Sequence, residues 1–186
     1  MRQLPYAITP DGGTLIFREH SVDLTADAGD IMAMPLAGNR RARLLIQTPA
    51  REMNAELSPD GRWLVYQSDE SGRDEIYIRP FPNVSAGKTQ VSTNGGTRPL
   101  WARSGRELFY ESGGALMRVA VTTGAALTVT PPEKLFGGPY VYGLLEHMYD
   151  ITPDGQRFLM LKEAPPPPDA SPPARIVVLP RGVTGG

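Results

Sequence analysis

The chain of 186 residues carries 19 basic and 20 acidic side chains, and its formal net charge of −1 gives no field that would attract nucleic acid or an anionic membrane. It contains no cysteine, which excludes disulfides and thiolate metal sites. No apolar stretch approaches the roughly 20 residues of a membrane-spanning helix, and the N-terminal residues lack the pattern of a signal peptide.

A phrase that recurs four times organises the sequence, and each copy is followed by a short apolar run. The copies are TPDG at residues 9–12, SPDG at 58–61, RSG at 103–105 and TPDG at 152–155. We interpret the following residues as structural turn markers, because aspartate caps backbone amides and glycine tolerates positive φ: Asp11, Gly12, Asp60, Gly61, Gly105, Asp154 and Gly155. The marker glycines are 49, 44 and 50 residues apart. A period of about 40 to 50 residues predicts propeller blades.

The first two repeats each indicate four antiparallel strands. In the first repeat the innermost strand is predicted at residues 4–9 and the third at 31–35. The second repeat is the clearest, with strands predicted at residues 54–58, 63–68, 75–80 and 88–92. The strand at 63–68 carries apolar residues on both faces, which is typical of a strand buried between neighbouring blades.

The last two repeats continue this pattern, with third strands predicted at residues 116–121 and 176–180. The chain is therefore predicted to be all-β, a β-propeller of about four antiparallel four-stranded blades in one array over residues 1–186. The blade boundaries are predicted at about 4–48, 49–93, 94–137 and 138–182. The last blade is expected to be incomplete, with three strands.

Four aromatic residues test the equivalence of the repeats. Trp63 and Trp101 are expected to be largely buried, because both lie in strands next to a marker and face neighbouring blades. Tyr66 and Tyr110 occupy equivalent positions after their markers and are expected to play matching packing roles.

The segment SPDGRWLVYQSDESGRDEIYIRPFP, at residues 58–82, resembles the repeat of TolB-like (WD40-like) β-propeller proteins. LWARSGRELFYESGGALMRVAV at 100–121 and YDITPDGQRFLMLK at 149–162 are similar to late blades of such arrays. The likeness is greatest to the propeller on the C-terminal side of bacterial Ser/Thr protein kinases and related sensors, although the sequence contains no kinase phrase such as HRD or DFG. The resemblance implies a sensor module, located outside the cytoplasmic membrane where the kinase relationship holds.

The number of repeats predicts an unfinished ring. TolB-like propellers generally close with six blades or more, whereas this sequence has four markers and its last blade lacks an outer strand. An unpaired edge and uncovered end blades favour pairing with further chain. We expect either a fragment of a longer protein or a homo-oligomer with the first and last blades at the interface. The rival is a compact monomer in which residues 1–5 help to close the ring.

The sequence contains no constellation that predicts a catalytic site. Of the two histidines, His20 and His147, the second lies in a predicted loop where it could act as an acid or base, but a lone loop histidine is more often an exposed or packing residue. Ser71, Ser104 and Ser112 precede glycines in turns without the G-x-S-x-G elbow of a serine nucleophile. We therefore predict no catalytic residue and no cofactor.

An acidic group is the single candidate for a metal site. Asp23, Asp27 and Asp30, in DLTADAGD, could bind a hard cation such as calcium, although their spacing departs from that of a calcium loop. A solvated hairpin tip is the alternative. The basic cluster RRAR at residues 40–43 is too small, and too poor in aromatic neighbours, to predict nucleic-acid binding.

A proline-rich segment at residues 164–174 interrupts the last repeat. Its run of prolines favours an extended polyproline II conformation. The segment could serve as a ligand for an aromatic groove on a partner, or it could be a solvated loop at the edge of a blade.

Two functions from different classes remain open. The first is a non-catalytic binding or sensor module that recognises a protein, a peptide or a small ligand. We favour it because the loops vary between repeats and no catalytic signature is found. The alternative is hydrolase activity, as an esterase or peptidase, or the propeller part of such an enzyme. The expected partner is a protein or peptide, with no nucleic acid and no direct membrane contact.

Overall fold

The computed structural model describes residues 2–20, 29–124, 126–141, 148–163 and 174–180. These residues form strands arranged in four antiparallel sheets, and the part of the chain that is described contains no α-helix. We call the four sheets blades 1 to 4 in chain order. The predicted all-β propeller architecture is confirmed.

The first two blades each contain four strands. Blade 1 consists of β1 (Arg2–Ile8), β2 (Thr14–His20), β3 (Gly29–Pro35) and β4 (Arg43–Ile46). Blade 2 consists of β5 (Glu52–Leu57), β6 (Trp63–Ser68), β7 (Glu75–Pro80) and β8 (Thr89–Gln90), with a 3-10 turn at Val84–Ala86. Every strand in these blades pairs with the next strand along the chain, so the order in the sheet is the order in the sequence.

The last two blades depart from four strands. Blade 3 consists of β9 (Thr97–Trp101), β10 (Glu107–Ser112), β11 (Ala115–Thr123), β12 (Leu127–Val129) and β13 (Glu133–Gly137). Blade 4 has three described strands, as predicted: β14 (Tyr149–Ile151), β15 (Arg157–Glu163) and β16 (Ala174–Pro180). The fifth strand of blade 3 differs from the prediction. It forms because the nine-residue β11 pairs with β12 through its C-terminal part and with β13 through its N-terminal part.

The marker turns are closed by a repeated set of hydrogen bonds. In blade 2, Ser58 Oγ donates to Asp60 Oδ1 at 2.6 Å and accepts from the backbone N–H of Trp63 at 3.0 Å. Asp60 Oδ1 also accepts from the N–H of Arg62 at 3.1 Å. Thr9 with Asp11 in blade 1, and Thr152 with Asp154 in blade 4, make the equivalent bonds. The four marker glycines adopt φ values of 66° to 72°, a region that favours glycine.

These bonds stabilise the ionised form of the turn aspartates. The pKa of Asp11 and of Asp154 is lowered, first by the threonine hydroxyl and then by the backbone amide that each carboxylate accepts. For Asp60 burial acts in the opposite direction, but the bonds from Ser58 and Arg62 outweigh it and the pKa is lowered too. In all three turns the carboxylate therefore bonds its own loop.

Replacing Ser58 with alanine is expected to lower the free energy of unfolding by about 1 kcal/mol, because a buried hydroxyl loses both of its hydrogen bonds. Blade 3 carries Ala102 at the corresponding position, so the turn can still form. Urea unfolding followed by tryptophan fluorescence measures the change. The control Ser104→Ala, at an exposed turn position in blade 3, should change stability by less than about 0.5 kcal/mol. Equal losses in the two variants would contradict this assignment.

Neighbouring blades pack by one rule. We call the side of a sheet that carries the residues three and five positions after the marker glycine its front face, and the opposite side its back face. In each interface the back face of one blade shares a core cluster with the front face of the next. The clusters join Ile16 to Leu64 and Tyr66, Val65 to Leu108 and Tyr110, and Phe109 to Phe158 and Met160.

The aromatic predictions are confirmed with one exception. Tyr66 and Tyr110 are both buried, each five residues after its marker glycine and each on a front face. Trp101 is buried as well. Trp63 is the exception in degree: it packs against the core cluster shared by blades 2 and 3, but as the first residue of β6 it lies beside an exposed marker turn and is only partly buried.

Candidate functional site

The first strands of the blades lie beside one another, as expected around the axis of a propeller. β5 contacts both β1 and β9. At two equivalent positions on these strands, seven residues before the marker glycine, Asn54 and Arg98 have positive φ values of 51° and 53°. The pairing register of both strands is interrupted there, so each carries an irregularity of the β-bulge type.

Buried hydrogen bonds hold these irregular positions and connect three blades. Gln67 Oε1 accepts from Asn54 Nδ2 at 2.8 Å and from the N–H of Arg98 at 3.2 Å. The carbonyl oxygen of Arg98 accepts from the Tyr149 hydroxyl at 2.6 Å. Left-handed backbone at non-glycine residues is strained and persists where the surroundings fix it, as these hydrogen bonds do for Asn54 and Arg98.

A crevice of about 260 Å³ opens between the first strands of blades 2, 3 and 4. We call it the inner crevice. Its lining residues are Glu56, Leu57, Pro59, Leu100, Trp101, Arg103, Asp150 and Ile151. The ionisable groups among them are two carboxyls and one guanidinium, and the other lining side chains are apolar. The inner crevice thus combines apolar walls with a few polar groups, which is the usual make-up of a binding site.

Glu56 is the chemically unusual residue of the inner crevice. Burial raises the pKa of its carboxyl to about 8; the hydrogen bond from Trp101 opposes that rise, and the negative charge of Asp150 adds to it. The hydrogen bond from the backbone N–H of Trp101 to Glu56 Oε2 is 2.7 Å long. Glu56 is therefore largely protonated at neutral pH, and a cation placed beside it would favour loss of that proton.

The inner crevice was not predicted from the sequence, although the repeats carry a signal for it. Glu56 and Asp150 both lie five residues before a marker glycine, where blades 1 and 3 have Ala7 and Leu100. Acidic residues at the same position of the first strand in blades 2 and 4 predict that both carboxyls lie near the axis of the propeller.

The structure describes one of the three aspartates of the predicted metal site. Asp23 and Asp27 lie outside the described residues. Asp30 lies in β3, and its Oδ2 accepts from Gln47 Nε2 at 2.9 Å. Among the residues that are described, no group of three or more His, Asp or Glu side chains could hold a metal ion. The calcium assignment stays a prediction.

The other candidates are scattered. His20 is buried at the end of β2, and His147 lies outside the described residues. Ser71 and Ser104 lie in exposed turns, and Ser112 ends β10. None of the three serines lines the inner crevice.

The arginines of the basic cluster do not line the inner crevice. Arg40 and Arg41 are exposed, whereas Arg43 contributes to a second crevice, of about 420 Å³, between the marker turns of blades 1 and 2. The proline-rich segment lies outside the described residues up to residue 173, and Ala174 begins β16. Within the described ranges no helix has the length and apolar character needed to span a membrane.

Comparisons with known proteins reveal the fold and no closer relationship. No family profile matches the sequence, and no curated protein matches it. TolB from Acinetobacter baumannii aligns with a TM-score of 0.63 at 17% identity, over 98% of this chain and 44% of its own. The β-propeller domain of the Trilobed protease from Pyrococcus furiosus, described as having an open velcro topology, aligns with a TM-score of 0.58 at 13% identity, over 97% of this chain and 54% of its own.

Enzymes with propellers are among the similar structures as well. A puromycin-hydrolyzing peptidase from Mycobacterium tuberculosis aligns with a TM-score of 0.64 at 19% identity, over 86% of this chain and 28% of its own. The chain thus spans about half the length, or less, of these three structures. At such identities the likeness is one of fold, and the fold of this chain is that of a TolB-like β-propeller.

Proposed function

We propose that the chain is a non-catalytic binding module, and that it recognises a protein or peptide partner through a basic side chain held in the inner crevice. The observation that carries this proposal is the position of Glu56 and Asp150 on first strands of blades 2 and 4, on either side of the apolar wall formed by Leu100 and Trp101. Carboxyl groups on an apolar wall suit the ammonium or guanidinium of a long side chain, whose methylenes pack against the wall.

The size of the inner crevice favours a side chain over a free small molecule. Pockets for drug-sized ligands span about 300 to 1,000 Å³. At about 260 Å³ the inner crevice falls below that range, and it accommodates one lysine or arginine side chain of a larger partner. Arg103 also lines the crevice and disfavours any cation near it, so the two carboxyls must outweigh its charge for one basic side chain and would not do so for two. We therefore expect a single basic residue with neutral or acidic neighbours.

Binding of a cation in the inner crevice is coupled to loss of the proton from the Glu56 carboxyl. The carboxyl has a pKa of about 8 in the free protein, and a bound positive charge lowers it. Binding therefore releases a proton at neutral pH, and affinity for the basic side chain rises with pH until Glu56 is ionised in the free protein as well.

The host of this module is proposed on the sequence resemblance alone. The repeats resemble those of propellers attached to bacterial Ser/Thr protein kinases and related sensors, which supports a role as the recognition part of such a receptor. In that arrangement the propeller would lie on the outer side of the cytoplasmic membrane.

An array of short peptides tests the proposal. Each peptide has one lysine or arginine in a serine and alanine background, with norleucine or glutamine at that position as the matched control. Hits are titrated by calorimetry at about pH 6 and at about pH 8, and we expect binding of the basic peptides that strengthens at the higher pH. The variant Glu56→Gln/Asp150→Asn should lose this binding, whereas Glu133→Gln, at an exposed position on β13, should retain it.

Two outcomes would overturn the proposal. Basic and control peptides that bind alike, or a double variant that binds as well as wild type, would remove the inner crevice as the recognition site. Turnover of ester or peptide substrates by the chain, abolished by a serine-directed inhibitor, would replace the binding module by a hydrolase.

A further inference from the structure

The marker turn of blade 3 differs in charge from the other three marker turns. Residues 102–104 read ARS, where the corresponding residues of blades 1, 2 and 4 read TPD, SPD and TPD. Arg103 thus replaces a proline, and Ser104 replaces the turn aspartate. Both replacements make this turn more positive than its equivalents.

The turn aspartates of the other blades supply an anion that blade 3 lacks. In blades 1, 2 and 4 the carboxylate accepts from the backbone N–H two residues further on, at 2.9, 3.1 and 3.0 Å. In blade 3 the Ser104 hydroxyl accepts from the N–H of Arg106 at 3.3 Å. A hydroxyl keeps the turn closed but carries no charge, so it does not neutralise the basic residues beside it.

Two exposed guanidiniums flank the blade 3 turn, those of Arg103 and Arg106. Among the residues that the structure describes, neither guanidinium makes an ion pair or a hydrogen bond. Arg62, the equivalent of Arg106 in blade 2, differs in this respect, because its Nε donates to Asp60 Oδ2 at 2.7 Å. The guanidiniums of the blade 3 turn are therefore available to an anion from another molecule.

Arg103 connects this turn to the inner crevice, which it lines together with Glu56 and Asp150. The Glu56 carboxyl, with its pKa raised to about 8, largely keeps its proton at neutral pH. One carboxylate and one guanidinium then remain, so the positive and negative charges of the free crevice nearly balance. A lone cation is attracted by Asp150 and repelled by Arg103, whereas a ligand with a cation and an anion side by side is attracted by both.

We propose that the partner carries an aspartate or glutamate within two residues of its basic residue, and that Arg103 and Arg106 bind this carboxylate at the mouth of the inner crevice. The inference rests on the proposed function and narrows the recognised feature from a basic residue to a basic–acidic pair. A guanidinium suits a carboxylate because it presents two parallel N–H donors to the two oxygens. The carboxylate of the partner takes the role that Asp60 has for Arg62 in blade 2.

The size of the inner crevice places the acidic side chain outside it. A volume of about 260 Å³ accommodates one long side chain, which is the basic one. Arg103 and Arg106 are exposed, so a side chain that stays outside the crevice can reach them. An extended peptide advances about 3.3–3.6 Å per residue, so a residue one or two positions from the basic residue remains within about 7 Å of it along the chain.

Matched peptides measure the preference for an acidic neighbour. Each peptide has one lysine in a serine and alanine background, with both termini blocked, and has glutamate, glutamine or a second lysine one or two positions away. By calorimetry at about pH 7 we expect the glutamate peptides to bind about three- to tenfold more tightly than the glutamine peptides, and the two-lysine peptides to bind least. The preference should shrink at high salt, because the guanidiniums are exposed.

Variants of the turn identify the groups that bind the carboxylate. Arg103→Gln should have two opposite effects: the glutamine peptides bind more tightly, because a repelling charge is removed, and the gain from glutamate falls. Arg106→Gln should reduce that gain as well. Ser104→Asp gives blade 3 the carboxylate of the other turns, which should pair with Arg106 and compete with the peptide. Arg62→Gln, at the equivalent exposed position of blade 2, is the control and should leave every affinity unchanged.

The outcomes separate this inference from the proposed function. Glutamate and glutamine peptides that bind alike, while Glu56→Gln/Asp150→Asn still abolishes binding, would overturn the acidic neighbour and leave the basic site in place. A gain from glutamate that survives in Arg103→Gln/Arg106→Gln would overturn the assignment to the two arginines. A free C-terminal carboxylate on the lysine that strengthens binding where an internal glutamate does not would also overturn it, since the site would then recognise a chain terminus. If no basic peptide binds, the proposed function and this inference are both wrong.

Discussion

Replacing Phe109 with alanine is expected to lower the free energy of unfolding by about 3–5 kcal/mol, the largest single-residue loss we foresee. Phe109 is fully buried on the back face of blade 3. Its ring meets that of Phe158 edge to face, with the centroids 5.0 Å apart. The alanine variant loses this contact and leaves a cavity between blades 3 and 4. Chemical denaturation with guanidinium measures the change in midpoint and slope.

The repeat supplies a matched control for this experiment. Leu159 occupies the equivalent position in blade 4 but is 42% exposed. Leu159→Ala should cost less than about 1 kcal/mol, because the truncated side chain is already largely in contact with water and little buried apolar surface is lost. Similar losses at Phe109 and Leu159 would show that burial between blades is not what stabilises the array.

Replacing Glu56 with glutamine is expected to stabilise the protein at alkaline pH, by on the order of 2–3 kcal/mol at about pH 8, and to have little effect at about pH 5. The pKa of the Glu56 carboxyl is raised from 4.5 to about 8, chiefly by burial. Between these two pH values the folded protein holds the proton and the unfolded chain releases it. The wild type therefore loses stability as the pH rises through this range, and glutamine cannot titrate.

Unfolding in urea at several pH values provides the measurement. Glutamine keeps an oxygen that accepts from the backbone N–H of Trp101. The variant therefore differs from wild type mainly in having no ionisable group at position 56. Glu52, with a pKa raised to about 7 mainly by burial, acts in the same direction, so part of the slope below pH 7 should survive in the single variant. Glu133→Gln, at an exposed position, serves as the control. Parallel pH profiles for wild type and Glu56→Gln would contradict the raised pKa of Glu56.

The sequence predicted strands well where turn chemistry marks them. In blade 2 the strands Trp63–Ser68 and Glu75–Pro80 lie where the pattern places them, because a marker turn and a polar turn bound the first and prolines end the second. The fifth strand of blade 3 was not foreseen. Its pairing depends on the unusual length of β11, and the length of a partner strand is a tertiary property that local patterns do not contain.

The candidate site was much less accessible to sequence reasoning. Glu56 is unusual because the backbone N–H of Trp101, 45 positions further along the chain, donates to it and because its strand β5 lies against β9 of the next blade. Neither fact follows from the residues beside Glu56. The left-handed backbone of Asn54 and Arg98 was equally hidden, since it depends on Gln67 from another strand. Only the position of the acidic pair relative to the markers was visible in the sequence.

The hydrogen-bonded pairing of strands stays within each blade, and this has a consequence for synthesis of the protein on the ribosome. Each strand in blades 1, 2 and 4 pairs with its neighbour in the chain, and each marker turn closes through bonds within a few residues. Ring closure of such short loops costs little entropy and is fast. We expect blade 1 to complete its sheet while blade 3 is still being translated, so that folding proceeds from the N-terminus and each finished blade offers its back face to the next.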